Sequence, residues 1–156
     1  MIEIPVPGQT DLTIENIVFD FNGTLAADGI PLPGIRQALK KLAENLAIYL
    51  LTSDTHGTVR AQMDGLPLAI HVMSSRDHAR EKADFVNQLG ARRTIAVGNG
   101  SNDAPMLRTA AIGIAVLGEE GLSARAAAGA DILFADIQHV FAALANPKRL
   151  TASLRE

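Results

Sequence analysis

From residue 16 onward, short aliphatic runs alternate with stretches of helical spacing. The runs are 17–21, 46–52, 69–73, 94–98, 112–117 and 132–134, and none shows the in-out alternation of a half-exposed strand. Continuous apolar runs of this kind suit strands covered on both faces. Between them, Ile35, Ala38, Leu39 and Leu42 fall at i, i+3, i+4 and i+7, with Lys40 and Lys41 on the opposite side. That spacing predicts an amphipathic helix, with Pro33 just ahead of it, where a missing N–H does no harm. Further helices are expected at 56–64, 78–89, 102–111, 120–129 and 136–145. Strands and helices alternating at this pitch predict an α/β fold: a Rossmann-like open, mainly parallel sheet with helices on both faces. The first fifteen residues break the rhythm. Met1–Val6 and Leu12–Ile14 flank Pro7-Gly8-Gln9-Thr10, a turn signal, so 1–15 reads as an N-terminal strand or hairpin extension. The basic, amphipathic 147–156 reads as a short helix or docking tail. No linker or repeat divides 1–156, which is taken as one domain.

In an open parallel sheet, ligands bind at the carboxyl ends of the strands. The first central strand ends in Asp20-Phe-Asn-Gly-Thr-Leu25, the second in Thr52-Ser-Asp-Thr-His-Gly57, and the fourth in Gly98-Asn-Gly-Ser-Asn-Asp103. Lys82 lies on the helix before that fourth strand. An Asp, a hydroxyl, a Lys and a second Asp are thus expected on one rim. The set suits phosphate chemistry: a carboxylate nucleophile, an ammonium and a hydroxyl for phosphate oxygens, and carboxylates for Mg²⁺. Each signal has a plainer reading when taken alone. Asn22-Gly23 is a turn, Ser101-Asn102-Asp103 an N-cap, and Lys82 a solvated helix lysine. His56, His71, His78 and His139 form no ligand-spaced cluster. Together, in this chain order and at these strand and helix ends, the four signals point to one phosphate-handling rim.

Composition narrows the classes further. The 156 residues carry 14 basic and 17 acidic side chains, a net charge of −3, which gives no nucleic-acid footprint. There is no cysteine, so disulfides, thiolate zinc sites and cysteine nucleophiles are excluded. No run approaches the roughly 20 apolar residues of a membrane span. Met1-Ile-Glu-Ile-Pro-Val-Pro7 does not read as a signal peptide. A cytoplasmic globular protein without membrane or nucleic-acid partners is expected.

Asp20-Phe-Asn-Gly-Thr24, then Thr52, Lys82 and Gly98-Asn-Gly-Ser-Asn-Asp-Ala-Pro-Met-Leu107, resemble the four motifs of the haloacid dehalogenase superfamily of aspartate-nucleophile phosphatases and P-type ATPases. The similarity runs from about residue 16 to 135 and is closest to small soluble P-type ATPase-like phosphatases. It implies catalytic roles for Asp20, Asn22, Thr52 and Lys82, with Asp20 the residue that becomes an aspartyl phosphate. It implies phosphate binding by Thr52, Ser53, Lys82 and Gly23, and Mg²⁺ held by Asp20, the carbonyl of Asn22, Asn99 and Asp103. Two positions depart from the superfamily pattern. Asn22 stands where its phosphatases place an acid–base Asp, and an amide does no such work at neutral pH. Asn99 stands where a metal-binding Asp is usual.

The reading is therefore a slow Mg²⁺-dependent phosphohydrolase acting on a small phosphorylated substrate. The alternative is a phosphate-binding or aspartyl-phosphate switch module acting through a protein partner. Assigned elements fill the chain from Leu25 to Thr52 and from Thr52 to Lys82, leaving no room for a large cap, while 25–32 suits a small flap. Asp20 and Asp103 are expected in one solvent-accessible cleft lined by Thr52 and Lys82. A homo-oligomer is expected, with the flap near a subunit boundary.

Overall fold

The computed structural model describes residues 1–54 and 57–155. The chain opens with a hairpin, β1 (Ile2–Ile4) and β2 (Leu12–Ile14), then enters β3 (Asn16–Asp20). A second small hairpin, β4 (Ala26–Ala27) and β5 (Ile30–Pro31), leads to α1 (Ile35–Leu42). Strands and helices then alternate through β6 (Ala47–Thr52), α2 (Thr58–Gln62), β7 (Ala69–Val72), α3 (His78–Leu89) and β8 (Thr94–Gly98). The remainder is α4 (Ala104–Thr109), β9 (Ile112–Val116), α5 (Ala124–Gly129), β10 (Ile132–Phe134), α6 (Ile137–Leu144) and α7 (Lys148–Leu154). Six strands pair in parallel in the order β10-β9-β8-β3-β6-β7.

Alternate residues of each central strand go to opposite faces, as the pleat requires. Ile17, Phe19, Leu50, Val97 and Ile114 meet α1, α2, α6 and the N-terminal hairpin in the larger core. Val18, Leu51, Ala96 and Ala115 meet Val86 of α3, Met106 and Leu107 of α4 and Ala126 of α5 on the other side. Both faces are covered, which explains the unbroken apolar runs. Among the described residues, no helix is long and apolar enough to cross a membrane. Between β3 and β6 lie only the β4–β5 flap and α1, so there is no large cap.

Several sequence boundaries shift. The N-terminal hairpin pairs only with itself and stands outside the central sheet. The helix expected at 120–129 begins four residues later, because the chain first makes a tight turn between Gly118 and Gly121, the latter at φ 86°. Ser123 then caps α5 by accepting the Arg125 N–H. The helix expected from 56 is α2, and Thr55 and His56 lie outside the described residues. The tail folds as α7, with Leu150 fully buried, and Glu156 lies outside the described residues.

Candidate active site

The sheet order puts β8, β3 and β6 side by side, so their carboxyl ends form one rim. Asp20 pairs in register with Leu51, which places Thr52 one residue beyond it. On the opposite flank Phe19 pairs with Val97, so the chain after Gly98 leaves β8 beside Asp20. Lys82 reaches this rim from the first turns of α3. It is 1% exposed, and its Nζ donates to Asp20 Oδ1 and to Asp103 Oδ1, both at 2.6 Å. This is no solvated helix lysine. Asp103 is fully buried, and its Oδ2 accepts the N–H groups of Asn99 at 3.0 Å and Gly100 at 2.8 Å. Its side chain does not cap α4, so the cap reading of Ser101-Asn102-Asp103 gives way to a loop wrapped around one carboxylate. Gly98 makes room for it: a Cβ there would fall 2.6 Å from Asp103 Cγ.

Of the three charged groups, Asp20 alone reaches solvent, with 14% of its side chain exposed. The sequence expectation of two carboxylates in an open cleft therefore needs correcting, because the loop amides and Lys82 enclose Asp103 completely. Burial pushes the Asp20 carboxyl up to about 7, the neighbouring Asp103 adds to the rise, and Lys82 holds it back. Burial disfavours the Lys82 charge, but attraction to Asp20 and Asp103 outweighs it, and its pKa lies above the usual lysine value. One ammonium thus serves two carboxylates and leaves an excess of negative charge at the mouth of the site.

The remaining sequence candidates surround this triad. Thr52 is buried, and its Oγ1 accepts the Asp54 N–H at 3.1 Å. Asp54 in turn accepts from Val59 N–H and Thr58 Oγ1 at the start of α2. Ser53 and Asn22 are exposed beside the rim. Gly23 takes φ 79° and donates its N–H to the Ala26 carbonyl at 2.7 Å, so in this conformation that amide is not offered to a phosphate. Asn99 also faces inward: its Oδ1 accepts from Thr24 Oγ1 at 3.3 Å and its Nδ2 donates to the Gly121 carbonyl at 3.1 Å. His71 pairs with Glu81, and His139 lies near Asp136. No group of three His, Cys, Asp or Glu able to hold a metal occurs among the described residues.

Sequence reasoning missed the residues that brace the rim. Glu81, one residue before Lys82, accepts the backbone N–H groups of Ser74 and Ser75 and fixes the β7–α3 turn. Glu120 accepts the Asp28 N–H at 2.8 Å and anchors the flap tip. Gln62 holds the flap from the other side through the Gly29 carbonyl. These contacts join positions far apart in sequence and leave no local signature.

No protein-family model matches the chain. A putative HAD superfamily (subfamily III A) hydrolase from Legionella pneumophila superposes with a TM-score of 0.71 at 16% identity, covering 90% of this chain and 87% of that one. The 3-deoxy-D-manno-octulosonate 8-phosphate phosphatase of Moraxella catarrhalis, solved with magnesium, phosphate and its sugar acid, superposes at 0.66 with 17% identity and 90% coverage of both chains. The fold is that of the haloacid dehalogenase superfamily, in a form without a large cap. The sequence is also similar to part of metal-transporting ATPases. It is 34% identical over 126 residues to the probable copper-transporting ATPase PacS of Synechocystis, covering 80% of this chain. It spans only 16% of that ATPase's length.

Proposed function

We propose that the protein is a Mg²⁺-dependent phosphohydrolase of low turnover acting on a small phosphorylated substrate. The observation that carries this reading is Lys82, buried and bridging a partly exposed Asp20 to an enclosed Asp103 at the carboxyl edge of the sheet. A phosphate held over this rim meets the Asp20 carboxylate as nucleophile. The carboxylate oxygen forms a bond to phosphorus, and the ester oxygen leaves as an alkoxide that takes its proton from water. Lys82 and the Thr52 hydroxyl offset charge on the phosphoryl oxygens, so most of the help is positioning and electrostatics. Water then attacks the aspartyl phosphate, releasing phosphate and restoring Asp20. Asn22 offers neither acid nor base to either step, and this is the reason for expecting a low rate.

The donor set fits a hard divalent cation. Asp20 supplies a carboxylate oxygen at the rim, while Asp103, whose Oδ2 is held by the Asn99 and Gly100 N–H groups, would join it only by exchanging its Lys82 bond at Oδ1 for the cation. Mg²⁺ is commonly bound by one or two carboxylates together with waters and substrate phosphate. Asp20, Asp103 and the Asn22 carbonyl would hold it, and when bound it would neutralise charge on the phosphoryl group. The magnesium in the Moraxella phosphatase structure supports this choice of metal.

The test is phosphate release from a panel of phosphate esters with and without Mg²⁺. Release that needs Mg²⁺ and disappears in Asp20→Asn is expected. A phosphate adduct on Asp20 that persists without turnover would favour the aspartyl-phosphate switch, the reading that the exposed Asn22 supports. Neither adduct nor release would sink both.

A further inference from the structure

Asn99 is 8% exposed, and every polar group it carries has a partner. Its N–H goes to Asp103 Oδ2 and its carbonyl accepts the Ser123 N–H at 2.9 Å. Its side chain lies between Thr24 of the nucleophile loop and Gly121 of the turn before α5. Gly23 packs beneath it so closely that a Cβ there would fall 2.3 Å from Asn99 Nδ2. The same turn carries Glu120, which holds the flap at Asp28. A continuous path of bonds therefore runs from the loop after Asp20, through Asn99, to the flap.

We propose that Asn99 is a positioning residue and not a metal ligand: its carboxamide locks the nucleophile loop to the 118–121 turn and, through Glu120, to the flap. The chemistry explains why an amide stands here. The Gly121 carbonyl only accepts, so the atom facing it must donate, while the atom facing Thr24 can accept. An amide does both. A carboxylate would keep the Thr24 bond but set oxygen against the Gly121 carbonyl oxygen, leaving that acceptor unpaired. The inference rests on the phosphohydrolase reading only for what the positioned loop serves.

The test uses the full chain and two readouts that do not depend on turnover. Hydrogen exchange of residues 22–28 is followed in Mg²⁺-free protein, and Mg²⁺ alone is titrated calorimetrically. Thr24→Val should speed exchange about tenfold, the scale set by losing one buried hydrogen bond, and Asn99→Ala, which loses the Thr24 and the Gly121 bonds, at least as much. The double variant should exchange no faster than the faster single, because both remove one shared bond. Asn99→Asp should bind Mg²⁺ no more than about threefold tighter than the parent, where a carboxylate added to a metal's own ligand set raises affinity far more. Thr24→Val leaves Asp20, Asn22, Asn99 and Asp103 themselves unchanged and supplies the exchange reading by itself if Asn99→Ala does not fold. Unchanged exchange in the variants, or Mg²⁺ bound about tenfold tighter or more by Asn99→Asp, overturns the proposal. Absence of phosphate release from the unmodified protein would count against the phosphohydrolase reading and leave the positioning role of Asn99 standing.

Discussion

A single ammonium decides the character of the rim. Lys82 is enclosed with two carboxylates, one of them fully buried, and removing one partner of such a set is costly because the remaining charges stay in place. Lys82→Met should therefore lower stability by about 3 kcal/mol near pH 7.5. The loss should shrink at pH 5. Asp20 already titrates at about 7 in the folded chain against 3.8 in the ordinary case, and without Lys82 it titrates higher still. Across that window the folded state holds the extra proton, so a rising pH destabilises it. Denaturant melts at the two pH values check both the size and the sign. At Asn22 the expected change is in rate. Asn22→Asp supplies the missing acid, worth about 10²–10⁴-fold in general acid–base catalysis, and should speed hydrolysis of esters with poor leaving groups most. Equal, unchanged rates on poor and activated esters would show that proton delivery is not limiting. The candidate residues themselves were readable from sequence because their strand-end placement is a local pattern. The enclosure of Lys82 and Asp103 was not, since it depends on α3 and the 99–103 loop closing over one another.

At the level of elements, the central strands were legible because each is covered on both faces and so reads as an apolar run. The start of α5 and the flap anchors were not. The Gly118–Gly121 turn sits against the Gly23 carbonyl, which a Cβ at Gly118 would approach to 2.8 Å, and that constraint comes from a loop far away in sequence. The β7–α3 junction shows the same dependence on side chains that reach back. Glu81 is held at about 2 by the hydrogen bonds it accepts from Ser75, with those from His71 and Ser74 adding to them and its partial burial opposing. A carboxyl depressed below its usual 4.5 adds stability above that value. The contribution disappears as pH falls through 4.5 toward 2. Glu81→Gln should therefore cost about 1 kcal/mol at pH 7, a figure discounted for solvent screening. The parent and the variant should converge near pH 2.5, which paired thermal melts across that range would show. A cost independent of pH would mean that the turn is held by shape and not by the carboxylate.

Across the whole molecule, the chemistry and the closure of the chain lie on different elements. Asp20, Thr52, Lys82 and Asp103 come from β3, β6, α3 and the loop before α4. The two ends of the chain instead meet each other: α7 packs on α6 and β1, none of which carries a site residue. Leu150 of α7 shares the larger core with Ile2, Ile4 and Val6 of the N-terminal segment. The sequence showed an amphipathic tail and a hairpin but gave no sign that they were partners, because neither pattern names the surface that it covers. This division makes stability and activity separable. Leu150→Ala removes a fully buried side chain and leaves a cavity, so stability should fall by about 2–5 kcal/mol. Exchange in β1 and β2 should rise with it, since the hairpin lies outside the central sheet and depends on that contact. Phosphate release per folded molecule, measured well below the melting temperature, should stay as in the parent. If release instead falls while the protein remains folded, the hairpin and α7 are coupled to the rim through the shared core. In that case the larger hydrophobic cluster positions the nucleophile strand as well as supporting it.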